Sequence, residues 1–220
     1  MPTFITTAHQ KGGVGKSTIA LNLYGYFTKA GLKTAIVDID PQGTITQFSE
    51  LAEAGRFNLI KRRDFVVSED DDRISIERLL VQVKDYDVVI IDTPPYLTDE
   101  LEDIFQITNL LIIPCKASLF DALAIRQTLA FIENSKRAND KNFISVIVLT
   151  MVISGSNIQD QIREVLKQHK TPILDTEIGN RIAYAKSLLL TGSIVDDDTG
   201  KAKDEIENLA TEILTLISKK

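Results

Sequence analysis

Cysteine is all but absent. Cys115 stands alone among 220 residues, so no disulfide can form within the chain and no cysteine-rich metal site can be assembled; a bridge between two copies is the one oxidised link left open. Coming just after the apolar stretch Leu110 to Ile113, Cys115 reads as a packing residue at a strand end. Long apolar runs are missing as well. Val88 to Ile91 and Leu110 to Pro114 are strand-sized, against the roughly 20 residues that a membrane-spanning helix requires. Met1 to Ala8 lacks the basic start of a secretion signal, and a cytoplasmic location is expected. Nor is there an excess of positive charge. With 25 basic against 31 acidic residues and a net charge of −6, the surface as a whole does not suit a polyanion, and any nucleic-acid contact has to be local. Lys61-Arg62-Arg63 is one basic cluster, but Glu69 to Asp72 follows closely, and the stretch reads as a solvated loop of mixed charge.

What is present suffices for a real core. Hydrophobic residues make up 44% of the chain and charged residues 25%, which suits one domain spanning 1–220. Thr3 to Ala8 reads as a short buried strand. Ile19, Ala20, Leu23, Phe27 and Ala30 recur at helical spacing over Ser17 to Ala30, Gly31 suits that helix's end, and Thr34 to Ile39 is a second strand. The opening is thus a βαβ unit with a glycine-rich turn inside it. Further on, the pattern predicts a helix over Ile74 to Val83, strands over Asp87 to Ile91 and Leu110 to Ile113 around the Pro94-Pro95 break, and a helix over Leu119 to Lys136. A strand over Phe143 to Leu149 and a helix over Ile158 to Gln168 follow. Helical periodicity resumes over Asn180 to Leu190 and Asp204 to Ile217, on either side of the polar turn Asp196 to Gly200. The strands are apolar throughout instead of alternating, as in a parallel sheet covered on both sides. The predicted fold class is doubly wound α/β, a mostly parallel sheet with helices on both faces.

The chemistry concentrates in Lys11-Gly12-Gly13-Val14-Gly15-Lys16-Ser17-Thr18. The general phosphate-loop pattern asks for glycine where this chain has Gln10, and Gly12 and Gly13 compensate. Glycines let backbone N–H groups close on phosphates, and the helix opening at Ser17 adds its positive end. Lys16 is expected on the β- and γ-phosphates and Ser17 on Mg²⁺. Asp38-Ile39-Asp40-Pro41-Gln42-Gly43 ends the second strand, where open α/β sheets place their ligands. Taken alone, Asp38 serves equally well as a cap or turn former. Val88 to Asp92 is an apolar strand ending in an acid and followed by Thr93-Pro94-Pro95, and Asp92 is expected to hold Mg²⁺ through water.

A second lysine, Lys11, at the start of the loop, with those two segments in order behind it, resembles the ParA/MinD superfamily of deviant Walker ATPases, P-loop NTPases in fold. Within it the chain looks nearest to the small ParA, or ParF-like, plasmid-partition proteins. The resemblance implies ATP and Mg²⁺ as cofactors and a homodimer that sandwiches ATP, with Lys11 crossing to the partner's phosphates to offset charge developing in the transition state. It implies Asp40 as the group that positions or activates the attacking water and Asp38 as support for the Mg²⁺ environment. The candidate catalytic residues are therefore Lys11, Lys16 and Asp40, the nucleotide-binding set is Lys11, Gly12, Gly13, Val14, Gly15, Lys16, Ser17 and Thr18, and the metal set is Ser17, Asp38 and Asp92. With the loop beginning by residue 11, no helix-turn-helix domain is expected ahead of it, nor sequence-specific operator binding. Arg181 to Gly192, the acidic turn and Lys201 to Ile217 resemble the small group's C-terminal region, and Asp121 falls where that group has a similar acid.

By the same resemblance the ATP-bound dimer binds DNA without sequence preference and is nucleoid-associated. Hydrolysis stimulated by a centromere-binding, ParB-type adaptor releases it, segregating plasmid or chromosome DNA. Candidate phosphate contacts are Arg181, Lys186, Lys201 and Lys203, with Lys219 and Lys220 behind them, although each alone also reads as a solvated surface residue. The alternatives are a MinD-like membrane-associated positioning ATPase and a ParA-like positioner of a non-DNA cargo. Ile206, Leu209, Ile213, Leu216 and Ile217 form an apolar stripe whose polar face carries Glu205, Glu207 and Glu212, which would repel anionic lipid, so the stripe is expected to pack on the sheet and no membrane partner is expected. Iron–sulfur carriers on this scaffold need cysteines that the chain lacks, and no acceptor pocket for a small-molecule ligase is identifiable. His9 stands where relatives often have a small polar residue such as Asn.

Overall fold

The computed structural model describes residues 1–51, 57–68, 73–138, 140, 142–153, 157–190, 192–196 and 200–219, with the backbone alone at 188–190. The acidic run Glu69 to Asp72, most of the turn Asp196 to Gly200 and Lys220 lie outside the described residues. The strands are β1 (Thr3–Thr7), β2 (Thr34–Asp38), β3 (Leu59–Lys61), β4 (Val88–Asp92), β5 (Leu110–Lys116), β6 (Ile144–Val152) and β7 (Ile173–Gly179). They form one seven-stranded sheet in the order β3-β2-β4-β1-β5-β6-β7, and every pairing between them is parallel. The helices are α1 (Lys16–Lys29), α2 (Thr44–Leu51), α3 (Ile76–Val83), α4 (Asp99–Ile107), α5 (Leu119–Ala138), α6 (Ile158–Leu166), α7 (Ile182–Leu190) and α8 (Lys201–Ser218).

Strand side chains alternate between two cores, one per face. Val89 and Ile91 of β4, with Leu111, Ile113 and Cys115 of β5, pack with α3 to α6. Val88, Ile90, Leu110 and Ile112 pack with α1, α2, α7 and α8. Because both alternating sets are apolar, the strands read as continuous hydrophobic runs, which is the physical basis of the doubly wound assignment. Cys115 is fully buried, and burial pushes its thiol up to about 12.

Four elements have no counterpart in the sequence reading: α2, β3, α4 and β7. β3 is only Leu59–Lys61. β7 is an edge strand whose Asp175, Thr176 and Glu177 interrupt its apolar pattern. Side chains of neighbouring helices serve its exposed backbone. Glu212 of α8 accepts the Asp175 and Thr176 amides at 2.9 and 3.1 Å, Glu205 accepts the Gly179 amide at 3.0 Å, and Arg163 donates to Glu177 at 3.0 Å. A helix thus blunts the exposed strand edge. Ile206, Leu209 and Ile213 of the same helix are fully buried against the sheet, as expected of the apolar stripe. Among the described residues no helix is long and apolar enough to cross a membrane.

The basic cluster departs from its expected solvated loop. Lys61 ends β3 and pairs with Glu50 at 2.8 Å, and the Arg62 guanidinium is held by Glu100 of α4 at 2.8 and 3.0 Å. The reason is register. Lys61 pairs with Asp38 across β3 and β2, which carries the next residues over the carboxyl end of the sheet toward α4.

Candidate nucleotide site

Parallel pairing puts the carboxyl ends of β1, β2 and β4 side by side, with Thr7 opposite Asp92 and Asp92 opposite Asp38. The loop leaving β1, the segment after Asp38 and the segment after Asp92 therefore emerge together. One cavity of about 290 Å³ collects Gly12, Gly13, Lys16 and Ser17 from the first, Asp40 from the second, and Thr93 and Pro95 from the third.

The loop is held open at identifiable points. Gly13 and Gly15 have φ of 68° and 99°, values that a side chain would strain. Thr150 at the end of β6 donates to the Val14 carbonyl at 2.8 Å, and His9 Nδ1 accepts the Lys11 amide at 2.9 Å. Lys16 is buried, and its ammonium donates to the His9 and Lys11 carbonyls at 3.3 and 3.2 Å. Burial lowers the Lys16 pKa, while Asp92 and Asp40 act to raise it. Lys11 lies at the rim, where its ammonium donates to Asp121 at 3.0 Å and to the Phe120 carbonyl at 3.3 Å.

Asp92 is buried, and desolvation pushes its carboxyl up to about 7, against hydrogen bonds from Ser17 at 2.6 Å and Thr7 at 3.1 Å. Burial likewise raises Asp38, whose carboxylate accepts the Thr46 amide and hydroxyl at 2.8 and 2.9 Å and the Asp40 amide at 3.2 Å. Asp38 thus caps the start of α2 and stands behind Asp40. A carboxyl at 92 desolvated beside a serine hydroxyl suits a divalent cation, which would favour its ionised form, and the glycine loop with its desolvated lysine suits a chain of phosphates. The residues present fit a magnesium nucleotide.

A second cavity, of about 230 Å³, adjoins the first through Gly15, Thr18 and Met151 and is walled by Ile178, Asn180 and Tyr184. The sequence reading did not identify it. Its walls come from β7, α7 and the end of β6, which converge only in the folded sheet, and Met151 has a φ of 53°, which no sequence signal announces.

The candidate DNA contacts stand apart from these cavities except for Arg181, which lines the second and donates to Glu205 at 2.8 Å. Lys186 and Lys201 are exposed on α7 and α8, and Lys203 is half-buried.

Comparison with known proteins supplies the wider setting. A family model described as "CobQ/CobB/MinD/ParA nucleotide binding domain" matches residues 5–190. The maintenance of carboxysome distribution protein A of Halothiobacillus neapolitanus is 25% identical over 213 residues, covering 96% of this chain and 95% of that protein. The chromosome-partitioning ATPase Soj of Treponema pallidum is 28% identical over 243 residues, covering 94% of each. A plasmid partition protein of Borrelia burgdorferi, solved with AMPPNP, superposes with a TM-score of 0.69 at 20% identity over 98% of this chain and 100% of that one; at that identity the likeness bears on fold alone.

Proposed function

Because the chain belongs to the CobQ/CobB/MinD/ParA nucleotide-binding domain family, whose membership implies ATP hydrolysis, we propose that it is a single-domain, ParA-like ATPase of the small, ParF-like type that segregates DNA. The observation that carries its ATPase part is a cavity shared by the phosphate loop, Asp40 and the segment after Asp92. Bound there, magnesium ATP supplies the phosphoanhydride bond and the cation that offsets its charge. Lys16 exchanges its two carbonyl partners for phosphate oxygens. Ser17 and Asp92 hold the cation, Asp38 supports them from behind, Asp40 orients the attacking water, and Ile178 and Tyr184 flank the base in the second cavity.

Hydrolysis requires a second copy of the chain, whose phosphates Lys11 reaches. To do so Lys11 leaves Asp121, a pair whose lysine is 37% exposed; ion pairs of that kind are worth only about 0–1 kcal/mol, so the exchange is inexpensive. Leu119, Phe120 and Leu123, respectively 53%, 80% and 50% exposed at the same rim, gain from being covered in that dimer. The dimer binds DNA phosphates through Lys186, Lys201, Lys203 and Arg181, the last in competition with Glu205, and associates with the nucleoid until a ParB-type adaptor stimulates hydrolysis. Cargo other than DNA is the second reading, favoured by the nearly full-length similarity to a carboxysome distribution protein.

The test is binding of the Asp40→Ala chain, which should hold the ATP state, to random-sequence duplex DNA at low salt with Mg²⁺ and either ATP or ADP. Binding with ATP alone supports the DNA-surface reading. Equal binding in both states, or none, refutes it, and vesicle co-sedimentation then decides on the membrane alternative.

A further inference from the structure

Arg62 grips the peptide that leads into Asp40. Its Nη1 donates to the Ile39 carbonyl at 3.4 Å, while the amide of the same peptide, that of Asp40, donates to Asp38 at 3.2 Å. The Ile39–Asp40 peptide plane is thus held at both ends. The guanidinium in turn is gripped fork to fork by Glu100, Nη1 to Oε2 at 3.0 Å and Nη2 to Oε1 at 2.8 Å, a geometry with directional as well as electrostatic preference. Both partners are largely shielded, with side-chain exposures of 13% and 27%. Glu100 sits in the first turn of α4, where the helix dipole favours an acid, and also accepts the Ile74 amide at 3.3 Å. Upstream of α4 lies Thr93-Pro94-Pro95, with Pro95 Cβ 3.8 Å from where a side chain at Gly12 would begin. Asp40 itself borders both the phosphate-loop cavity and a separate cavity of about 260 Å³ walled by Lys61, Arg62 and Arg63.

From this geometry we infer that Arg62 and Glu100 form a strut that positions Asp40 according to where the segment after Asp92 and α4 stand, coupling the two loops that border the phosphate cavity. The inference rests on the ATPase reading for its consequence in turnover, while its mechanical content stands without it. Lysine keeps the charge of Arg62 but lacks the fork, and Gln keeps the shape of Glu100 but not the charge, so either substitution loosens the strut without emptying the space.

Two measurements on the full chain test it. In hydrogen exchange, Glu100→Gln, a change on α4, should speed exchange about tenfold at residues 38–46, which Glu100 reaches through Arg62. Unchanged exchange there overturns the strut whether or not the chain hydrolyses ATP. In steady-state assays with Mg²⁺ and ATP, Arg62→Lys and Glu100→Gln should each lower kcat about tenfold with ATP affinity and melting temperature close to the parent's, and the Arg62→Lys/Glu100→Gln double variant should lose little more than either alone. An unchanged kcat, or losses of kcat, affinity and melting temperature together, overturns the positioning role. A parent chain that binds ATP but never turns it over refutes the ATPase reading instead, and the exchange experiment still decides on the strut.

Discussion

His9 makes the stability of the nucleotide-free chain depend on pH in a way that can be isolated. It is 1% exposed, its Nδ1 accepts the Lys11 amide, and the proton therefore sits on Nε2, a buried atom with no hydrogen-bond partner among the described residues. A second proton would have to enter at Nδ1, against the Lys11 N–H. Burial, then the Lys16 ammonium, and last Lys11, against an opposing pull from Asp121, depress the imidazole from 6.5 to about 4. Between those values the unfolded chain binds the proton and the folded chain does not, so this residue's contribution is full above about pH 6.5 and is lost as pH falls toward 4. From about pH 7.5 to about pH 5 the ratio of the two binding polynomials reaches roughly 30, which is about 2 kcal/mol. Asp92, raised to about 7, has the opposite sign and stabilises the fold on acidification, so the pH profile of the parent alone mixes the two. His9→Asn separates them, since the Asn side-chain oxygen can accept the amide two residues on without titrating. Urea unfolding of parent and variant at both pH values should show the parent losing about 2 kcal/mol more than the variant. A response equal within about 0.5 kcal/mol would mean that His9 is protonated at no such cost and that its place in the loop has been misjudged.

Lys16→Ala should weaken ATP binding by about 100-fold or more, the loss of a desolvated charge on phosphate, and native affinity by calorimetry would remove Lys16 from the site. Lys11→Ala should leave ATP binding by the monomer within about threefold while abolishing ATP-dependent dimers and turnover; sedimentation showing normal dimers together with normal kcat refutes a crossing lysine. In Gly25→Ala the new Cβ would stand 2.2 Å from Ser193 Oγ and 2.4 Å from Ser193 Cβ, so the gain in helix propensity is outweighed by overpacking and the chain should lose about 1–3 kcal/mol. A urea midpoint at or above the parent's would show that Ile194–Asp196 and its neighbours yield freely.

Much of the site was legible because its residue types are constrained by short-range geometry. Gly13 and Gly15 are needed where φ is positive, and the acids Asp38 and Asp92 terminate strands whose runs are apolar on both faces. The apolar stripe of α8 announced its packing on the sheet, but not that Glu205 and Glu212 on its other positions would close the edge of β7. α4 could have been found, since Leu101, Ile104 and Phe105 recur at helical spacing behind an acidic first turn. β3 and β7 could not, one being too short and the other too polar for periodicity to register.

By itself the sequence determined the doubly wound class, the phosphate loop and the order of the acids that follow it, because each is written in residues close together along the chain. Only the tertiary structure decided which strands stand side by side. That order, with β4 between β1 and β2 and β3 outside them, brings Asp40 to the phosphate loop, opens the apolar cavity behind Gly15 and sets Arg62 between Ile39 and Glu100. These contacts join residues tens of positions apart, and their energies depend on packing that periodicity along a single chain does not encode.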